Sequence, residues 1–180
     1  TEAVSDSDQI VSSINEVIAL GAEFALVASP ASFHAEHAVP LLQAGIPTLI
    51  EKPVTSNVED SQYLKQVAAK TGTPVAVGYC LRYLPSAMKV KELLDEKAIG
   101  TLYNAHIEIG QYLPDWRPSK DYRDSVSASA ILGGGALLEL SHELDMLRWV
   151  FGEVAWLSAW LGRQSRLDID VEDCAMLHMG

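Results

Sequence analysis

Thr48-Leu49-Ile50-Glu51-Lys52-Pro53 is an apolar run, too short for a helix, that ends in a charged pair and a proline. It reads as a buried strand. Proline disfavours the helical region for the residue before it, so Lys52 is expected to be extended at the carboxyl edge of the strand, its ammonium projecting into the crevice there. Upstream, Phe24-Ala25-Leu26-Val27-Ala28 has the same character and closes at Ser29-Pro30. Between the two strands the pattern predicts a helix from a cap at Ser32 through Gln43, stopped by Gly45. Downstream, Ser56 or Asn57 caps a helix whose stripe is Tyr63, Leu64, Val67 and Ala68; Gly72 ends it and a strand from Pro74 to Val77 follows. Ahead of all this, Ile10, Ile14, Val17 and Ile18 recur at helical spacing before Gly21. The sum is a βαβαβ arrangement with three parallel strands whose carboxyl ends share one edge.

Past Gly78 the pattern changes, which places a domain boundary near residue 80 and divides the chain into 1–80 and 81–180. A helix from about Pro85 to Lys97, with Gly100 after it, leads into a predicted strand from Leu102 to Tyr112. A polar loop with Pro114, Trp116, Pro118 and Tyr122 follows. Gly133-Gly134-Gly135 then precedes a helix expected from about Ala136 to Phe151, ended by Gly152. Val154–Leu161 and Val171–Met179 read as strands of an antiparallel sheet. The fold class is α/β: part of a parallel sheet, then part of an α+β domain built on a large, mostly antiparallel open sheet.

The 180 residues are 48% hydrophobic, enough for a real core, and carry 13 Lys and Arg against 24 Asp and Glu for a net charge of −11. That charge repels phosphate backbones, so nucleic acid and anionic membrane are not expected partners. No apolar run approaches the roughly 18 to 20 residues that span a bilayer. The opening Thr1–Asp6 has neither the basic start nor the apolar stretch of a signal peptide, and the cytoplasm is the expected location. Cys80 and Cys174 form no C-x-x-C pair and are expected as buried free thiols.

Chemistry concentrates in two places. Lys52 ends an inner strand, and Glu139, His142 and Asp145 lie three apart on a predicted helix. A lysine and a histidine facing one oxygen make a proton-transfer pair, the imidazole as base and the ammonium stabilising a developing negative charge. The competing readings are a surface lysine paired with Glu51 and a helix histidine satisfied by Glu139 or Asp145. Met146 stands where H-E-x-x-H needs its second histidine, so no metal site is expected. His34 and His37 read as partly exposed imidazoles in a first helical turn. Tyr112, Trp116 and Tyr122 offer faces for a sugar, and Arg117 suits a substrate carboxylate or phosphate. Arg82, just past the third strand, faces either a ligand or a salt-bridge partner. Gly133 to Gly135 is not a G-x-G-x-x-G turn, because Leu138 stands where its last glycine belongs.

Ala28-Ser29-Pro30 at a strand end, His34 and His37 in the helix after it, Glu51-Lys52-Pro53, and the glycine run leading to His142 and Asp145 together resemble the glucose-fructose oxidoreductase, inositol dehydrogenase and MocA family. The resemblance covers nearly the whole chain from Phe24. It implies a Rossmann domain followed by an α/β substrate domain, NAD or NADP as cofactor, a sugar, inositol or related polyol as substrate, and a homo-oligomer. It also implies that the chain is an internal piece of a longer protein, without the first βαβ unit. By the same resemblance Lys52 and His142 are catalytic, and Ser29, Pro30 and Glu51 lie with Lys52 and Arg82 on the cofactor side. The family places an aspartate four residues before the histidine; here that position is Leu138, and Glu139, three before, is the candidate third member. The alternatives are a relative that binds sugar or protein without redox chemistry, and a metal-dependent hydrolase using His142.

Overall fold

The computed structural model describes residues 9–180. The opening Thr1–Asp6 therefore lies outside the described residues.

Three short strands form a parallel sheet in sequential order: β1 (Ala25–Val27), β2 (Thr48–Ile50) and β3 (Val75–Val77). Val27 pairs with Ile50 and Ile50 with Val77, so the three strands end level, at one edge. The helices between them carry the expected apolar faces. After α1 (Ile14–Ala19), α2 (His34–Gln43) buries Ala38, Leu41 and Leu42, and α3 (Val58–Thr71) buries Leu64 and Val67, against Val27 and Ile50. Leu42 and Ile50 are 0% exposed; burying a side chain of that size stabilises by about 1.5–3 kcal/mol. Asn57 caps α3 by accepting from the Asp60 amide at 2.8 Å, and Gly72 closes the helix at φ 69°. The Lys52–Pro53 peptide that follows β2 is cis.

The second half is built from smaller pieces. A turn at Cys80–Tyr83 leads into α4 (Pro85–Asp95), which starts on proline as expected and stops two residues early, with Lys97 at φ 56°. Then come α5 (Leu113–Trp116), three single 3₁₀ turns between Tyr122 and Leu132, α6 (Ala136–Glu139), α7 (Ser141–Phe151), β4 (Leu157–Gly162) and β5 (Cys174–Met179). β4 and β5 pair antiparallel, Leu157 opposite Met179 and Gly162 opposite Cys174. A small second core gathers Ala128, Ile169 and Val171, with Leu113, Tyr122 and Leu167 against it.

Several expectations fail here for identifiable reasons. Leu102–Tyr112 forms no strand, because no described segment pairs with its backbone; Ile107 and Ile109 stand exposed. The antiparallel sheet accordingly has two strands rather than many. The helix expected from Ala136 to Phe151 is broken at Leu140 (φ −97°, ψ 25°). Cys80 is exposed and Cys174 partly so: the first opens a surface turn, and the second starts β5, which is only half-buried and pairs with the largely exposed β4. His34, expected partly exposed, is 1% exposed, because its ring turns inward to main-chain oxygens of Ser29 and Pro53.

Candidate functional site

A cavity of about 230 Å³ opens where the carboxyl ends of β1 and β2 meet the glycine run of the second half. Ser29, Pro30, Lys52 and Pro53 line it from the sheet side, and Arg117, Ser127, Gly133 and Glu139 from the other. The close approach depends on glycine. A Cβ on Gly134 would overlap Val126 O and Ser127 O, the latter at 2.7 Å, and one on Gly133, itself at φ 80°, would come within 2.9 Å of Ser56 Cβ.

Lys52 crosses this junction. Its ammonium donates to the Glu139 backbone carbonyl at 2.9 Å and to the Glu139 carboxylate at 3.1 Å, with both side chains about one-fifth exposed (20% and 22%). Ser127 Oγ donates to the other carboxylate oxygen at 2.7 Å. Lys52 is therefore tied to Glu139, not to Glu51, whose carboxylate packs against Gly78 and accepts from the Lys52 amide at 3.3 Å.

The same contact explains the break between α6 and α7. In a continuous helix the Glu139 carbonyl would accept from the Glu143 amide; here that amide turns to Leu140 O at 3.2 Å, and the ammonium takes the Glu139 oxygen. Gly135, at φ 104°, starts α6, and Glu172 satisfies its first amides: its backbone oxygen accepts from Ala136 N and its carboxylate from Leu137 N, both at 3.0 Å.

His142 lies one residue into α7, three after Glu139 and one turn before Asp145. Its Nδ1 is buried without a hydrogen-bond partner among the described residues, and its ring meets Tyr79 edge-on, centroids 5.7 Å apart. It does not line the cavity wall itself. Neither Glu139 nor Asp145 satisfies it: Glu139 is engaged by Lys52 and Ser127, Asp145 by Arg82. Arg82 faces a protein partner, a fork of two bonds at 2.7 and 2.5 Å onto the Asp145 carboxylate. That contact, ahead of the opposing effect of burial, holds the guanidinium pKa above its ordinary value.

The aromatic candidates separate. Tyr122 packs in the small second core and its hydroxyl accepts from the Asp168 amide at 3.2 Å, while Tyr112 is 60% exposed. Trp116 is half-buried, its indole N–H without a partner among the described residues, and only Arg117 of this loop reaches the cavity. Ser127, Glu172 and the Arg82–Asp145 pair escaped sequence reasoning. For the last, the salt-bridge reading of Arg82 matches the structure, and what the sequence did not supply is the partner, Asp145. Among the described residues no three His, Cys, Asp or Glu side chains converge as a metal set, and no helix is long and apolar enough to cross a membrane.

Residues 2–79 match the oxidoreductase family model described by its NAD-binding Rossmann fold, and residues 87–180 match the GFO/IDH/MocA C-terminal domain. The chain is 30% identical over 129 residues to oxidoreductase P35 of Formosa agariphila, covering 71% of this chain and 40% of that one. It is 31% identical over 143 residues to levoglucosan dehydrogenase of Pseudarthrobacter phenanthrenivorans, covering 75% and 35%. Among solved structures, an NAD-binding protein from Listeria innocua superposes with a TM-score of 0.76 at 27% identity, over 95% of this chain and 49% of the other. An oxidoreductase from Thermotoga maritima shares the fold with a TM-score of 0.80 at 22% identity, over 95% and 52%. The chain thus spans about two-fifths of the length of the curated relatives and about half of the solved ones. With both halves matched in order, the chain belongs to the GFO/IDH/MocA oxidoreductase family.

Proposed function

We propose that the protein containing this chain is an NAD(P)-dependent oxidoreductase acting on the secondary alcohol of a sugar, inositol or related polyol. The observation that carries the reading is the Lys52 ammonium held by Glu139 at the strand-end cavity, three residues before a histidine whose Nδ1 is buried without a partner among the described residues. The cavity also suits the nicotinamide side of the cofactor, because it opens at the carboxyl edge of a parallel sheet and places Ser29, Pro30 and Lys52 together. When bound there, NAD(P) supplies the acceptor for the hydride that leaves the alcohol carbon. The described residues contain no glycine-rich strand-to-helix turn to cradle a pyrophosphate, so the fit extends to that end of the cofactor alone.

Within this reading Lys52 lowers the charge cost of the alkoxide as the hydroxyl proton departs, and His142 takes that proton. Glu139 and Ser127 keep the ammonium oriented. Arg117 is the substrate-side cation. Residues to about 80 form the cofactor part and later ones the substrate part. A homo-oligomer in the cytoplasm remains the expected state, the oligomer supported by an open sheet face on which the directly paired Trp160 and Met176 are 46% and 56% exposed.

The test uses the complete protein. NADH formation is followed while a panel of sugars and inositols is offered, in wild type, Lys52→Met and His142→Asn. Turnover in wild type that falls at least about 10²-fold in both variants is expected. A protein that binds NADH and sugar yet turns over none of the panel is instead a binding relative.

A further inference from the structure

We propose that His34 is a positioning residue for Lys52, tying together the two loops that leave the carboxyl ends of β1 and β2. The inference rests on the dehydrogenase reading only for its catalytic consequence. His34 is the first residue of α2, it is 1% exposed, and both of its ring nitrogens meet main-chain oxygens: Nε2 lies 2.7 Å from Ser29 O and Nδ1 2.9 Å from Pro53 O. No other hydrogen bond reaches either oxygen among the described residues.

The position of those two oxygens gives the contact its meaning. Ser29 and Pro53 both line the cavity, and Pro53 directly follows Lys52. The lysine is thus fixed at both ends, its ammonium by Glu139 and the main chain behind it by the imidazole. A carbonyl withdrawn from water needs a donor; with both ring nitrogens protonated the imidazolium donates to the two carbonyls at once, whereas the neutral ring donates to only one of them. Apolar packing would fill the same space but leave both oxygens bare. His37, on the next turn, does a different job: its Nδ1 meets the Ser29 hydroxyl at 3.0 Å and its ring stacks on Phe33. A loop displacement of about 1 Å is enough to cost roughly 10²-fold in rate, so a tie at this point bears on turnover even though His34 touches neither substrate nor cofactor.

The experiment compares wild type, His34→Leu and His34→Gln in the complete protein, with two readouts. In steady-state kinetics, His34→Leu is expected to lose about tenfold or more in kcat while KM for the polyol and Kd for NADH stay within about threefold, and His34→Gln, which keeps one donor, recovers part of the loss. In the second readout an amine-reactive label is followed at Lys52 by mass spectrometry, and its rate is expected to rise several-fold in His34→Leu as the Glu139 contact loosens. A kcat within about twofold of wild type in a folded His34→Leu, or a loss confined to NADH affinity, overturns the proposal. So does unchanged labelling of Lys52. Where His34→Leu does not fold, His34→Gln carries the same expectations at smaller size. Should wild type reduce NAD with no polyol, the dehydrogenase reading fails, and the labelling still decides whether His34 sets Lys52.

Discussion

Arg82→Ala removes a fork of two charge-assisted bonds from a carboxylate that is only 10% exposed, and the consequence is calculable in outline. Two unit charges about 4 Å apart at an effective dielectric near 20 attract by roughly 4 kcal/mol. The Arg82 side chain is 40% exposed, so solvent screens much of that, although exposed pairs worth at most about 1 kcal/mol are a poor guide to a carboxylate this buried. An intermediate coupling of about 2 kcal/mol is expected. A double-mutant cycle of Arg82→Ala and Asp145→Ala, read from urea unfolding of the complete protein, measures it directly. The guanidinium pKa is raised above its ordinary value by the Asp145 contact, so this stabilisation is fully present below that ordinary value and is lost only as pH rises beyond it. The coupling should therefore be flat between about pH 6 and 9. Because the pair holds α7 one turn from His142, Arg82→Ala should also lower kcat about tenfold or more with KM little changed. A coupling below about 0.5 kcal/mol, or one that drains away across that pH range, refutes the reasoning.

Three further outcomes are expected. Gly134→Ala drives a methyl into the Val126 and Ser127 carbonyls, both backbone and unable to yield cheaply, and should destabilise by about 2–4 kcal/mol; a thermal scan matching wild type would exclude that packing. Asn57→Ala removes the cap of α3 and should lower stability by about 1 kcal/mol, visible as a shifted urea midpoint, whereas Asn57→Asp, which keeps an acceptor, should not. Asp121, held by the Arg123 side chain and amide, has its carboxyl pulled from 3.8 to about 2, so its pairing is complete above 3.8 and is lost as pH falls through about 2; carboxyl NMR titration should show this, with Arg123→Gln, which leaves the amide in place, moving the value part of the way back up.

The parallel half was legible because its strands are written as short continuous apolar runs, punctuated by Ser29-Pro30, Gly45 and Gly72, although only one face of the sheet is buried here, with Val27 and Ile50 on it and Leu26 57% exposed on the other. Of the expected caps, Ser32 does not cap α2: it lies inside a single 3₁₀ turn, Ala31–Phe33, ahead of the helix, and its hydroxyl has no partner among the described residues. Asn57, however, is where local chemistry put it. Lys52 at a strand end was legible for the same reason, since proline and strand length fix its place without knowledge of the rest. The second half was less so. The alternation in Leu102–Tyr112 announces a strand, yet a strand exists only through hydrogen bonds to another segment, and none among the described residues supplies them. Local periodicity likewise could not show that His34, on a helix whose exposed face carries Glu36, turns inward onto two strand ends.

The break at Leu140 joins these observations. Helical propensity and the apolar spacing from Ala136 to Phe151 favour one continuous helix, and nothing within that segment opposes it. What competes is a residue 87 positions away: the Lys52 ammonium binds the Glu139 carbonyl and carboxylate together, and the carbonyl is within reach because the helical ladder has let it go. A charged donor meeting a partly buried oxygen gains more than a neutral amide would, roughly 1.5–3 kcal/mol against 0.5–1.5, so tertiary contact outweighs the local preference. On this account the helix interruption and the lysine site are one structure, and removing the ammonium should repair the helix. Lys52→Met is then expected to let Glu143 N return to Glu139 O, protecting that amide from hydrogen exchange. A Glu143 amide that exchanges as fast in Lys52→Met as in wild type would mean that the glycine run alone breaks the helix.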